Sequence, residues 1–279
     1  MKVLATDADV AQIEGDAIVA GIFEDEPAGP LLSQLDLAMD GAVTRLIEQG
    51  EVGRRAADVT TILAPHNLKV NQLVIVGLGE NGALGPTVAA RAAGAAAKSL
   101  AAKSRQRVTY CMDGPWDDSL VAAAISAAIV GCTGQDLHRA EKKLHPFQAL
   151  GWHGATNDAL SAGEILGQAI NLTRRLVNEA PSVINPEGFV AEAIRAAQGC
   201  GLEIEVWDRE RLKKERCEAL LAVARASAHD PRLVMLRHAG GKPGQAPLAL
   251  VGKGVTFDSG GLSLKPSDGM KIMKCDMAG

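Results

Sequence analysis

The sequence is poor in aromatic residues: Phe, Trp and Tyr together are 3% of its 279 residues, with a single Tyr. A surface that stacks single-stranded bases needs more of them, so nucleic acid is not an expected partner. Excess basic charge is missing too. Lys plus Arg is 29 against 33 for Asp plus Glu, a net charge of −4, which leaves no footprint for nucleic acid or an anionic membrane. No run of about 18 apolar residues occurs, which excludes a membrane-spanning helix. Met1-Lys2-Val3-Leu4 runs directly into Asp7 and Asp9, leaving no room for a signal-peptide core. The five cysteines (Cys111, Cys132, Cys200, Cys217, Cys275) are odd in number and form no C-x-x-C pair. Reduced thiols in a cytoplasmic protein are therefore expected. H-E-x-x-H and G-x-S-x-G are absent, and the histidines between His66 and His238 show no ligand spacing.

What is present reads as an ordinary globular chain, 47% hydrophobic and 22% charged, long enough for about two domains. Asp16–Phe23, Asp58–Ala64, Gln72–Val76 and Arg107–Met112 read as strands, being rich in Val, Ile and Thr and bounded by turns. Leu31–Gln49, Gly85–Lys103 and Ser119–Gly131 read as helices between them. This alternation predicts an α/β sheet covered on both faces over residues 1–158, with His138–Asp158 closing the domain. A linker helix is expected over 159–182, starting at a capping box of Ser161 and Glu164 and stopped by Pro181. Residues 183–279 then open a second α/β unit, expected to carry a mixed sheet. Asn185-Pro186 starts a helix ending near Gly199 and Gly201. Strand Leu202–Trp207, helix Arg209–Ala224, strands Arg232–Arg237 and Leu248–Val251, and helix Met270–Ala278 follow, with a turn-rich connector at 240–244. This second unit reads as cut short: a sheet of few strands with an open edge is a poor independent fold.

Gly77-x-Gly79-x-x-Gly82 follows a strand and precedes a helix, the setting of a dinucleotide-binding turn. That turn needs an acid about 20 residues later, and Asp113 comes too late. A tight structural turn is the simpler reading.

The stretch that carries chemistry is LALVGKGVTFDSGGLSLKPSDGMKIMKCDMAG, residues 248–279. Lys253 lies between Gly252 and Gly254, Asp258 opens Ser259-Gly260-Gly261, Lys265 precedes Pro266, and Asp276 rides on the terminal helix. Two readings remain open from the residues alone. One is a pair of Asp–Lys salt bridges over a glycine-rich turn. The other is a divalent-metal site, with carboxylates as hard ligands, one lysine binding as a neutral amine and a second, charged lysine facing an oxyanion.

This stretch closely resembles the first metal-binding motif of the leucyl aminopeptidase (cytosol aminopeptidase) family. NLTRRLVNEAPSVINP at 171–186 resembles that family's linker signature, and Ala219–Ser227 with the following strand is similar as well. The resemblance implies an N-terminal α/β domain like macro domains and a two-metal exopeptidase, leucine preferred, acting on peptides with a free N-terminus. It implies two divalent ions (manganese, zinc or magnesium), a cytoplasmic location and a homo-hexamer in the full-length form. By the same resemblance Lys253, Asp258 and Asp276 are metal ligands, with Asp258 shared by both ions, and Lys265 is the catalytic lysine. The family's second motif, which resembles N-T-D-A-E-G-R-L, does not occur in the 279 residues. Two carboxylates and a lysine are too few for two dications, so the isolated chain is expected to have little or no peptidase activity.

Overall fold

The computed structural model describes residues 1–242 and 244–279, so Pro243 of the expected connector lies outside the described residues. The chain divides into two compact units, Met1–Leu172 and Thr173–Gly279.

Unit 1 is built on a six-stranded sheet. Its strands are β1 (Lys2–Thr6), β2 (Gly15–Phe23), β3 (Val59–Leu63), β4 (Val70–Gly79), β5 (Arg107–Cys111) and β6 (Ala149–His153), in the order β1-β6-β5-β2-β4-β3. All neighbours run parallel except β3, which pairs antiparallel with β4. The central strands are continuous apolar runs rather than alternating ones, because both faces are covered. On one face lie α1 (Pro30–Ala38) and α2 (Ala42–Glu48), packing Leu32, Leu35 and Val43 against Ile18, Ile22, Leu73 and Ile75. On the other lie α3 (Pro86–Leu100) and α4 (Asp118–Gly131), packed over Val19, Val74, Val76 and Tyr110. The alanine-rich face of α3 lets α4 come close: a Cβ at Gly131 would stand 2.5 Å from the Gly94 carbonyl oxygen. The remaining helix, α5 (Asn157–Asn178), continues from this unit into the next.

Three local expectations change here. The single helix expected over Leu31–Gln49 is two, broken at Asp40 (φ 55°) and Gly41 (φ 74°), where the Asp36 carboxylate accepts the Val43 and Thr44 N–H groups at 2.6 and 3.1 Å. A left-handed pair followed by a side-chain cap ends one helix and starts another. Strands β1 and β6 were not expected. Both are five residues long, and β6 is found only through its neighbour: Trp152 stacks on Tyr110 of β5 at 5.4 Å between ring centroids. Helix α5 begins before Ser161, with the Thr156 hydroxyl accepting the Ala159 N–H at 3.1 Å, so the Ser161–Glu164 spacing lies inside the helix and is not its cap. Its apolar residues Ile165 and Leu166 are exposed, while Gly163 and Gly167 pack on Ile125 and Ile129 of α4.

Unit 2 holds the end of α5, then α6 (Pro186–Cys200), β7 (Glu203–Trp207), α7 (Arg209–Lys214), α8 (Glu218–Val223), β8 (Leu233–Arg237) and α9 (Ser267–Ile272). The 3₁₀ turn Met273–Ala278 follows α9. The expected start of α6 holds: Asn185 caps it by accepting the Gly188 N–H at 2.9 Å, Pro186 is its first residue, and Gly201 ends it at φ 65°. The helix expected over Arg209–Ala224 is broken at Arg216, which takes φ 56°. Strands β7 and β8 pair antiparallel, Val206 opposite Val234; among the described residues the sheet that mixes parallel and antiparallel pairs is the one in unit 1. The expected strand Leu248–Val251 is not formed. A strand needs a ladder partner, and among the described residues this segment has none, so Leu250 and Val251 stand 88% and 98% exposed.

Candidate metal centre

The glycine turn at 77–82 is occupied by its own chain. The Gly77 N–H donates to the Asp58 carbonyl at 2.9 Å and the Gly79 N–H to the Arg54 carbonyl at 3.0 Å. A Cβ at Gly77 would collide with the Arg55 carbonyl, so this glycine makes room for a crossing backbone. Helix α3 begins only at Pro86, after a 3₁₀ turn at Asn81–Ala83. The Gly77, Gly79 and Asn81 amides, which a phosphate would need, are thus already satisfied, the last by the Asp25 carboxylate.

The true switch point of the sheet lies between β2 and β5, whose following helices leave to opposite faces. A cavity of about 190 Å³ opens there, lined by Gly21, Phe23, Glu26, Gly29 and Asp113 among others. Asp113, the acid that came too late for the glycine turn, is buried at its wall. Its carboxylate accepts the Leu31 and Leu32 N–H groups at 2.9 and 3.0 Å, filling the anion position at the start of α1. Burial pushes the nearby Cys111 thiol up to about 12, with the Asp113 charge adding to it, which leaves that sulfur inert.

In unit 2 the four residues singled out by sequence form two adjoining pairs. A Cβ at Gly252 would collide with the Gly279 carbonyl oxygen, so the two backbones meet without side chains between them. That approach sets Lys253 against Asp276, with Nζ 3.1 Å from Oδ2. The second pair is made by one turn. Asp258 Oδ1 accepts the Gly260 N–H at 2.8 Å, and the Lys265 N–H closes the loop on the Ser259 carbonyl at 2.8 Å. Gly260 (φ 95°) must be glycine here, since a Cβ would strike the Ser263 carbonyl. Lys265 Nζ is thereby held 2.8 Å from Asp258 Oδ2 and 2.7 Å from the Asp258 carbonyl. The Lys265 hydrogen bond, then the Gly260 N–H, hold the Asp258 carboxyl below the usual carboxylate range; the Lys253 charge also reaches it, linking the pairs.

Of the two readings left open by the residues, the bare geometry displays the paired salt bridges. The Lys253–Asp276 pair is exposed and the Lys265–Asp258 pair only partly buried, so neither is a strong stabilising element. Among the described residues no group of three or more His, Cys, Asp and Glu is gathered to hold a metal ion. The donor chemistry fits a hard dication in kind, with two carboxylates and a lysine that binds only as a neutral amine, but falls short in number.

Two supporting contacts were not visible in the sequence. Glu192 of α6 is almost buried and pairs with Arg175 of α5, Nη2 to Oε2 at 2.5 Å, and with Arg195 one turn on. The Arg175 hydrogen bond, then that of Arg195, pull the Glu192 carboxyl down to about 2. Lys274, inside the motif, is buried and turned away from the two pairs toward the end of α5. Helical spacing marks which side a residue takes, but not what meets it there.

Known proteins match along nearly all of this. The N-terminal domain of the cytosol aminopeptidase family matches residues 19–136, and the catalytic domain of the same family matches residues 171–279. A probable cytosol aminopeptidase of Rhodopirellula baltica is 45% identical over 248 residues, covering 89% of this chain and 48% of that protein. One from Solibacter usitatus is 36% identical over the whole chain and 57% of its own length. The chain thus spans about half the length of the curated relatives it matches. Among solved structures, the bottromycin maturation enzyme BotP in complex with Mn is similar with a TM-score of 0.75 at 27% identity, covering 95% of this chain and 53% of that one. A mutant of tomato leucine aminopeptidase shares the fold with a TM-score of 0.81 at 24% identity, covering 100% of this chain and 57% of its own. With both family domains matched in order and the Lys–Asp pairs lying in the second, the chain belongs to the cytosol aminopeptidase family.

Proposed function

We propose that this chain is part of a metal-dependent aminopeptidase that removes N-terminal residues, leucine preferred, from peptides with a free α-amine. The observation that carries the reading is the placing of Lys253 with Asp276 and Lys265 with Asp258 on adjoining glycine-shaped turns within the family's catalytic domain. Lys253, Asp258 and Asp276 would hold the metal, Asp258 as the ligand shared by two ions, and manganese, zinc and magnesium would all suit such donors. The manganese bound by the similar BotP structure supports the first of these. When bound, the ions make a water acidic near neutral pH and draw electrons from the scissile carbonyl. The chain's own residues do the remainder. Lys253 would serve as a neutral amine ligand. Lys265, anchored on both the carbonyl and the carboxylate of Asp258, keeps its proton and presents an ammonium to the oxygen that turns negative. A cytoplasmic homo-hexamer is part of the same proposal. Two carboxylates and one amine are too few for two dications, so the 279 residues alone release little or no leucine.

Manganese titration of the pure chain, followed by thermal unfolding, tests this. Stabilisation that disappears in D258N and D276N supports it. A chain indifferent to manganese but stabilised by a dinucleotide would overturn it in favour of a nucleotide-binding module, a reading that the self-bonded Gly77–Gly82 turn and the Asp113 cap oppose. Metal-dependent release of leucine from a leucyl anilide by the same preparation would sink the statement about too few ligands.

A further inference from the structure

We propose that Lys274 is a positioning residue for Asp276: it ties the 3₁₀ turn Met273–Ala278 to the carboxyl end of α5 and so aims the Asp276 carboxylate at Lys253. In a 3₁₀ turn residues three apart lie one above the other. Lys274 and Met277 are such a pair and both are buried, at 9% and 1% exposure, whereas Cys275 and Asp276 between them are exposed. The buried pair thus decides which side of the turn faces outward. Lys274 Nζ donates to the Leu176 carbonyl at 3.2 Å and also to the Glu179 carbonyl. The Leu176 carbonyl lies in the last turn of α5 and the Glu179 carbonyl just past it, at the negative end of the helix dipole.

Packing alone does not call for a lysine here. A methionine has similar length and enters a buried site without desolvating a charge, and Met277 already does so beside it. What the ammonium adds is direction, because two carbonyl acceptors fix the rotation of the turn about its own axis. Two residues on, the same turn carries Asp276 to within 3.1 Å of Lys253 Nζ. The inference rests on the reading of Asp276 as a metal ligand for its consequence, but the anchoring itself does not depend on it.

The test compares wild type, K274M, K274R and D276N as 279-residue chains, by amide hydrogen exchange over 273–279 without metal and by Mn²⁺ binding followed through the free-ion paramagnetic resonance signal. K274M is expected to exchange faster across the turn and to bind Mn²⁺ about ten-fold more weakly, the usual cost of losing a group that orients a ligand. K274R keeps donors and should restore most of both. D276N should lose Mn²⁺ binding while its turn stays protected. A fall in thermal stability of K274M with unchanged Mn²⁺ affinity would leave only a structural role and overturn the proposal, as would unchanged exchange. If wild type itself takes up no Mn²⁺, the metal-ligand reading of Asp276 fails, and the exchange comparison still decides the anchor. Should K274M not fold, K274Q carries the same comparison.

Discussion

Val19 of β2 sits beside Val74 of β4 in unit 1, and both are fully closed to solvent; Val206 of β7 sits opposite Val234 of β8 in unit 2, and Val206 is 36% exposed. The side chains are the same and the pairing is regular in both places. What differs is the number of layers. In unit 1 helices cover both faces of the sheet, so each apolar residue on a central strand is enclosed. Among the described residues of unit 2 the sheet has two strands, and the enclosed apolar residues are few: Ile184, Ala197, Leu212 and Met277. Polar contacts carry more of the order there: the Arg175–Glu192–Arg195 cluster, the Lys274 anchor and the Asn185 cap. A ladder without a covering layer removes little surface from water, whatever its side chains.

Core truncation in unit 1 breaks the comparison hardest. Trp152→Ala should cost about 4 kcal/mol in urea unfolding followed by circular dichroism, since the ring is buried and stacked on Tyr110. In unit 2 the largest effect should come from a charge. Glu192→Gln is expected to cost about 2 kcal/mol at pH 7, discounted because Arg175 and Arg195 are partly in water. Its pH dependence has a definite sign. The Glu192 carboxyl lies at about 2 when folded against an ordinary 4.5, so its contribution is complete above pH 4.5 and lost as pH falls toward 2. Urea midpoints of wild type and E192Q should therefore draw together between pH 4.5 and pH 2.

Asp113→Ala removes the acceptor for two amides at the start of α1 and should cost about 1.5 kcal/mol, while Mn²⁺ binding in unit 2 is unchanged. A loss of Mn²⁺ affinity in this variant would tie the two units together and undo the contrast. At the small end, Leu250→Ala, at a side chain 88% exposed, should change stability by less than about 0.5 kcal/mol. A larger loss would mean that residues 248–251 are covered in solution and that unit 2 is better enclosed than its solvent exposure indicates.

Much of this was legible in advance, and the reasons divide by how local the cause is. The runs in β2 and β4 and the alanines of α3 announce themselves because a strand or helix covered by other layers needs apolar residues whatever its neighbours are. Asn185-Pro186 announced α6 because a cap is made within four residues. The break between α1 and α2 is also local, in the Asp40-Gly41 dipeptide, but the apolar spacing continues through it and masks it. Edge strand β1 and its neighbour β6 were not legible, since five residues form a strand only on a ladder partner: β1 pairs with β6 from the far end of the unit, and β6 also needs β5.

The candidate site divides in the same way. Lys253, Asp258, Lys265 and Asp276, set among glycines, could be picked out by residue type and spacing; the turn that brings Lys265 onto Asp258 is short-range, whereas Lys253 meets Asp276 only where Gly252 and Gly279 approach. By itself the sequence thus determined the α/β class, the main elements of unit 1, the cap of α6 and the four residues of the candidate site. Only the tertiary structure decided that Asp113 lines the switch-point cleft and caps α1, that Glu192 and Lys274 are drawn inward, and that Leu248–Val251 forms no strand. Each of those depends on groups brought together from distant parts of the chain, and a buried carboxylate or ammonium is tolerated only where partners from elsewhere arrive to satisfy it.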